Sequence, residues 1–282
     1  MVSTGSQIGR SFSKVDVPPG CMALWWLGQS GFAIRAGSTN LLIDPFLSPH
    51  KDRATEAPIA ARECAWVDAV ACTHEHIDHF DQPTIETIAR IAPKATIVVP
   101  APIVQMATGF GISEERIVGA RVGEAIRLRD LTVVPVPALH GIHMTDAYTD
   151  GTEESGGLVR FMGYVVEANG LRVYHAGDSL VFDGLVDILK PLSIDVALLP
   201  INGRSYFREQ RDLVGNMDER DAFELAEHIG AGLLIPIHYD AFPYNLGYPD
   251  HLMEIARVMR GKVSILVPDR TRPFIYGVGH GT

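Results

Sequence analysis

Short apolar runs, each closed by Gly, Ser, Asn or Asp, follow one another along most of the chain. Met22 to Leu27 leads into Gly28-Gln29-Ser30-Gly31. Phe32 to Arg35 follows, then Ala36 to Asn40, then Leu41 to Ile43 before Asp44-Pro45. This rhythm predicts antiparallel strands joined by tight turns, because small and polar residues supply the turn conformations that apolar runs cannot. Further strands are predicted at Ala69–Cys72, Thr96–Val99, Leu131–Val136, Phe161–Glu167, Leu171–Tyr174, Asp195–Leu199, Leu233–Pro236 and Ser264–Val267. Helical periodicity lies between them. Ile85, Ile88 and Ile91 recur every three residues after Asp81, a predicted N-cap. Asp218 is placed to cap a second helix whose stripe is Ala222, Phe223, Leu225, Ala226 and Ile229 before Gly230. A third runs from about Asp250 to Arg260, with Leu252, Ile255, Ala256 and Met259 facing inward. Strands in both halves with helices interspersed predict two sheets covered by helices, not a purely parallel doubly wound sheet.

Composition narrows the class. The 282 residues are 46% hydrophobic and 21% charged, which fits a globular protein with ample core and excludes disordered and collagen-like chains. No linker, low-complexity stretch or solenoid repeat divides the sequence, so residues 1–282 are expected to form one domain, with 1–20 a flexible or peripheral N-terminal segment. The formal charge is 24 − 34 = −10, which argues against an extended phosphate-binding surface, and no nucleic-acid partner is expected. No run reaches the roughly 18–20 apolar residues of a membrane span, and Met1 to Lys14 lacks the apolar centre of a signal peptide. A cytoplasmic protein with no membrane partner is the expectation, with homo-oligomerisation open. Cys21, Cys64 and Cys72 have no paired spacing, which fits buried thiols in a reducing compartment.

The densest chemistry is His74-Glu75-His76-Ile77-Asp78-His79, between the apolar run Ala69–Cys72 and the helix after Asp81. Three imidazoles and two carboxylates on a strand-to-helix turn can converge on one point, and nitrogen and oxygen donors suit zinc, manganese or iron. Other donors also stand just past predicted strand ends: His140, Asp178 and His238, with Asp44 after Leu41–Ile43. Strands packed side by side bring such ends to one rim. His74, His76, Asp78, His79, His140, Asp178 and His238 are too many for one four-coordinate ion and suit two.

These residues, with the turn Ala176-Gly177-Asp178-Ser179, resemble the signature of the metallo-β-lactamase superfamily. Trp25-Trp26-Leu27-Gly28-Gln29-Ser30-Gly31, Ile43-Asp44-Pro45 and Ile235 to Asp240 are similar to its branch typified by L-ascorbate-6-phosphate lactonase. The resemblance implies an α/β (α+β) fold, a four-layer αββα sandwich of two mixed sheets with helices outside and the active site at their rim. It implies two divalent ions, zinc or else manganese or iron, one held by His74, His76 and His140, the other by Asp78, His79 and His238, with Asp178 bridging. Asp78 and His238 are also the expected catalytic residues. Asp44 is expected to orient the metal loop, although an Asp-Pro turn explains it as well. His143 competes with His140 as ligand or else supports the site, as His175 does from its strand. His50, His228, His251 and His280 carry no supporting spacing.

Two close divalent ions share a water, lower its pKa and hold it as a bridging hydroxide nucleophile. The expected function is therefore a binuclear hydrolase attacking a small anionic lactone or ester, such as a sugar-phosphate lactone. A phosphodiesterase or nuclease is the alternative enzyme, and a non-catalytic metal-binding sensor module the alternative class. Arg204, Arg208 or Arg211 after the strand Asp195–Leu199 are candidates to bind the substrate anion, and Asn202 to polarise its carbonyl. Solvation or salt bridging explains such arginines equally. Tyr239 and its aromatic neighbours are candidate pocket walls or core. Thr145 to Gly157 reads as an acidic loop able to act as a lid. The chain is shorter than that lactonase, so the metal-site residues carry over and the substrate does not.

Overall fold

A computed structural model describes residues 5–277 and builds them into two seven-stranded sheets. The first sheet takes β1 (Cys21–Gly28), β2 (Gly31–Ala36), β3 (Thr39–Ile43), β4 (Ala69–Ala71), β5 (Thr96–Pro100) and β6 (Ile117–Ala120) in that order. The second takes β7 (Ile126–Leu128), β8 (Leu131–Pro137), β9 (Met162–Ala168), β10 (Leu171–His175), β11 (Val196–Pro200), β12 (Leu233–Ile237) and β13 (Ser264–Ile265), again in chain order. The last strand, β14 (Phe274–Gly277), returns to the first sheet and pairs antiparallel with β1. Among the described residues, the seven α-helices are α1 (Gly5–Phe12), α2 (Gln82–Ile91), α3 (Val104–Gly109), α4 (Leu185–Leu189), α5 (Tyr206–Glu209), α6 (Glu219–Ile229) and α7 (Pro249–Met259).

Alternation along β1 shows why there are four layers. Met22, Leu24 and Trp26 point into a core shared with Val133, Tyr164 and Val173 of the second sheet. Ala23, Trp25 and Leu27 point the other way, into a second core with Ile8, Phe12, Ile85 and Ile88. Side chains on a strand alternate between faces, so a run that is apolar at every position must be covered on both. α2 supplies part of that cover, since Ile85 and Ile88 are fully buried, each worth roughly 1.5–3 kcal/mol of transfer free energy. On the second sheet α6 does the same with Ala222, Phe223, Leu225, Ala226 and Ile229. The Asp218 carboxylate accepts from the Arg220 and Asp221 amides, and Gly230 at φ 72° ends the helix as its sequence anticipates. The expected αββα arrangement of two mixed sheets is thus the observed one.

Within the N-terminal segment 1–20, residues 5–12 form a helix on the outer face, where Phe12 lies 5.9 Å from both the Trp25 and Trp66 rings. One helix expectation needs correction. Met259, expected to face inward, is exposed, because α7 ends there with Arg260 in the left-handed region. Asp81 stands at the N-cap of α2 as predicted, but with a carboxylate that makes no capping hydrogen bond. It accepts from the Leu47 and Ser48 amides and from Ser48 and Thr84 hydroxyls, tying the loop after β3 to the helix. Among the described residues, no helix is long and apolar enough to cross a membrane.

Candidate metal centre

β3, β4 and β5 run parallel, as do β10, β11 and β12, so their carboxyl ends share a direction within each sheet. β8 and β10 are each antiparallel to β9, so β8 points the same way as β10. Asp44, His74, His140, Asp178 and His238 each follow the end of one of these strands, which brings them to one rim. The backbone there is strained. Gln29 at φ 50°, Asp44 at φ 46° and His238 at φ 55° occupy the left-handed region without being glycine, at a cost of about 1–3 kcal/mol each. Hydrogen bonds hold them, with the His238 amide donating to Gln29 O at 3.1 Å and the Asp44 amide to Ala71 O at 2.9 Å.

Two groups of donors result, His74, His76, His140 and Asp178 in one, Asp78, His79 and His238 in the other. His76 Nδ1 lies 2.9 Å from His74 Nε2 and 3.2 Å from His140 Nε2. His238 Nε2 lies 3.3 Å from Asp78 Oδ2 and 3.1 Å from Asp178 Oδ2, and His79 Nε2 lies 3.1 Å from Asp178 Oδ1. Tetrahedral zinc with Zn–N near 2.0–2.1 Å sets its ligand atoms about 3.3 Å apart. His79 Nε2 and Asp178 Oδ1 are buried and make no hydrogen bond despite their proximity, as expected of two donors aimed at a shared cation. The residues present therefore fit a metal. Asp178 stands between the groups, with Oδ2 3.6 Å from His140 Nε2 as well as 3.1 Å from His238 Nε2.

The remaining ring nitrogens determine which lone pairs are free. His79 Nδ1 lies 2.7 Å from Asp44 Oδ2, so the proton sits on Nδ1 and Nε2 faces the site. The Thr73 hydroxyl donates to the same Asp44 oxygen at 2.8 Å and lies 3.1 Å from His74 Nδ1, whose N–H it can accept. One carboxylate therefore sets one imidazole directly and another through a hydroxyl. His76 Nε2, 3.3 Å from Ile142 O, donates there and leaves Nδ1 inward. Gln29 Nε2 donates to Asp78 Oδ2 at 2.8 Å.

Electrostatics separate the two groups. Burial, reinforced by the surrounding imidazoles, holds His74 well below the usual histidine pKa, and burial brings His140 down to about 3 against the pull of Asp178. Burial also opposes charge on His79 and His238, but Asp178 and the nearby carboxylates overcome it. His79 is held well above its ordinary value and His238 is pushed up to about 9. Burial would raise Asp78 and Asp178, yet the neighbouring His79 and His238 keep both below the usual carboxylate range.

Other expected residues fall elsewhere. His143 is apart from the cluster, exposed, its Nδ1 2.7 Å from Asp212 Oδ2, because the chain turns outward after the His140–Thr149 bridge. His175 is buried, with Nε2 donating to Ser30 O at 2.7 Å and Nδ1 accepting from the Gly177 amide, so it props the turn that carries Asp178. Asn202 is buried, its Nδ2 donating to Asn245 Oδ1 at 3.0 Å and its Oδ1 accepting from Asn216 Nδ2 at 3.1 Å. Arg208 is spent on Asn202 O, Asn245 Oδ1 and Leu246 O, and Arg204 lies over the Tyr148 ring at 5.2 Å. Tyr239 stacks on Trp26 behind the site, with burial pushing its phenol up to about 12. Glu75 turns from the cluster to pair with Arg160. In the acidic loop, Asp146 accepts from the Ile142 and His143 amides and Asp150 from the Thr152 amide. His280 lies outside the described residues.

Thr73 and Gln29 were given no role from sequence. Thr73 is adjacent to His74, which is its one signal, whereas Gln29, in the turn between β1 and β2, also falls within the run Trp25 to Gly31 that carries the family resemblance.

A family model described as Beta-lactamase superfamily domain matches residues 39–239. A relative from Myxococcus xanthus (strain DK1622), named a UPF0173 metal-dependent hydrolase, is 30% identical over 247 residues, covering 87% of this chain and 80% of its own length. A Salmonella heidelberg (strain SL476) protein named "Probable L-ascorbate-6-phosphate lactonase UlaG" is 24% identical, covering 98% of this chain and 84% of its own length. In fold, the chain resembles Igni18, a metallo hydrolase of Ignicoccus hospitalis, with a TM-score of 0.71 at 21% identity over 92% of this chain and 100% of that one. With the donor groups at the rim of two sheets, the family match over residues 39–239 means that this chain is a metal-dependent hydrolase of the metallo-β-lactamase superfamily.

Proposed function

We propose that the chain is a binuclear hydrolase of small lactones or esters, with His74, His76 and His140 holding one divalent ion, Asp78, His79 and His238 the other, and Asp178 touching both. The observation that carries this reading is the position of Asp178, within 3.1–3.6 Å of imidazoles from both groups. Zinc, manganese or iron bound there would supply a water acidified towards neutrality and a Lewis acid for the scissile carbonyl oxygen. Asp78 does the proton handling. Its Oδ2 is fixed by Gln29 and borders the cavity, placed to accept the proton of the attacking water and return it to the leaving oxygen. His238 Nε2 lies 3.3 Å away, where it would hold the same ion. Ile142, Leu213, Val214 and Phe242 supply an apolar wall beside the donor groups. The anionic substrate expected from sequence is not part of the proposal, because Arg204, Arg208 and Arg211 are absent from the cavity wall.

Metal-loaded protein assayed on plain lactones and carboxylic esters beside bis(p-nitrophenyl) phosphate tests this. Lactone or ester turnover that His76→Ala removes together with bound metal is expected. Diester turnover without lactone or ester turnover would favour the phosphodiesterase alternative, and fewer than about one metal equivalent per chain would end the enzyme reading.

A further inference from the structure

The cavity bordered by Asp78, Asp178 and His238 has a volume of only about 150 Å³. Small-molecule sites usually span roughly 300–1,000 Å³, so it has room for a scissile group and little more. Beside it lies a second cavity of about 520 Å³, walled by Phe46, Ile77, Phe80, Met106 and Phe110. Ile77 lines both. It sits between His76 and Asp78 and is 58% exposed, which leaves its side chain available to a ligand. Aromatic contacts also join the two spaces. Phe46 of the larger cavity lies 6.0 Å from Phe242 of the smaller, and Phe242 stacks on Tyr244 at 5.5 Å.

Charge sharpens the choice of occupant. Among the described residues no Lys or Arg lines either cavity, and the ionisable groups at their walls are Asp, Glu, His and, in the smaller one, Tyr244. Of the carboxylates in the larger cavity, Glu75 is paired with Arg160, and Asp81 is consumed by the Leu47–Ser48 loop and Thr84. An anionic substituent would meet acidic groups and no cation there, whereas an apolar one would cover Ile77, Met106 and the phenylalanine rings.

We propose that the larger cavity receives an uncharged apolar substituent of the substrate, an alkyl chain or phenyl ring, while its ester or lactone group occupies the smaller cavity. The substrate class is then a neutral alkyl or aryl lactone or ester. This assignment rests on the hydrolase reading for the smaller cavity, but the larger one can be tested without catalysis.

The probes are γ-butyrolactone and γ-octalactone, which differ by four carbons. Burying a methylene favours binding roughly fourfold, or about twofold at a half-covered site, so octalactone should gain about 16- to 250-fold. Binding is followed in EDTA-treated protein by the methyl resonances of 13C-methyl methionine, and kcat/KM is measured in metal-loaded protein. Octalactone should shift the Met106 signal where butyrolactone does not, and Met106→Glu should shrink the chain-length gain at least fivefold. Met253→Glu, on an exposed position of α7, should keep the wild-type gain. An unmoved Met106 signal, a flat chain-length dependence or a gain untouched by Met106→Glu overturns the inference. Chain-length-dependent binding with no hydrolysis of any lactone or ester would instead overturn the hydrolase reading and leave the apolar pocket standing.

Discussion

Replacing Asp44 by Asn changes almost no volume at a side chain that is fully buried, so any effect must come from hydrogen bonding and charge. The carboxylate now accepts from the Thr73 amide at 2.8 Å, the Thr73 hydroxyl at 2.8 Å and His79 Nδ1 at 2.7 Å. Asn can keep the first bond through its oxygen, which places its amide NH2 opposite His79. A donor there forces Nδ1 to accept, moves the ring proton to Nε2 and turns the metal-facing lone pair into an N–H. Ligation then requires the other tautomer and sets two donors against each other in a dry site, at about 1–3 kcal/mol. That range corresponds to roughly 5- to 160-fold in affinity, which overlaps the 10- to 100-fold typical for loss of a ligand's supporting partner. Zinc competition against a chromophoric chelator should show the ion contacted by His79 weakened by about that factor, with the circular dichroism spectrum unchanged. Thr73→Val, which keeps Asp44 but removes the hydroxyl relay, should weaken the His74 ion instead. Asp44→Asn protein that binds both equivalents within about threefold of wild type would refute the tautomer argument.

Three further outcomes follow from features away from the metals. The Asp130 carboxylate accepts from the Ser38 amide and hydroxyl and from the Thr39 hydroxyl, which holds its pKa below the usual range, so its stabilisation is present above its unfolded pKa and lost as pH falls through the lowered one. Urea midpoints should therefore drop more steeply below about pH 4 in wild type than in Asp130→Asn, and parallel curves would count against the staple. Burial pushes the Cys64 thiol up to about 12 and Cys72 well above its ordinary value, whereas Cys21 is half-buried, so Ellman titration should find one accessible thiol in native protein and three in guanidinium. Arg208→Ala removes three bonds to Asn202, Asn245 and Leu246 and should cost about 2–4 kcal/mol in chemical denaturation while raising KM little, whereas a large KM increase at unchanged stability would restore its substrate role.

The metal cluster was legible because its chemistry is local. Six consecutive residues announce a site, and the remaining donors follow apolar runs long enough to read as strands. β6, β7 and β14 went unread for the opposite reason, since four residues such as Ile117 to Ala120, or three from Ile126 to Leu128, carry too little periodicity to stand out from a loop. The arginines show where sequence stops. Arg208 looked available because its partners are backbone oxygens and an amide more than one loop away, and acceptors of that kind have no residue-type signature. The apolar wall was hidden similarly, since Phe46, Ile77 and Met106 come from three separate segments.

The route of the final segment has a kinetic consequence. β13 ends at Ile265 on the second sheet, and within ten residues the chain has crossed to pair β14 with β1, passing Arg270, whose carbonyl accepts from the Trp25 indole. The first described strand is thus completed by the last described one. Until β14 has been made, β1 keeps one edge unpaired and open to other chains, so the first sheet closes through a contact of very long sequence separation.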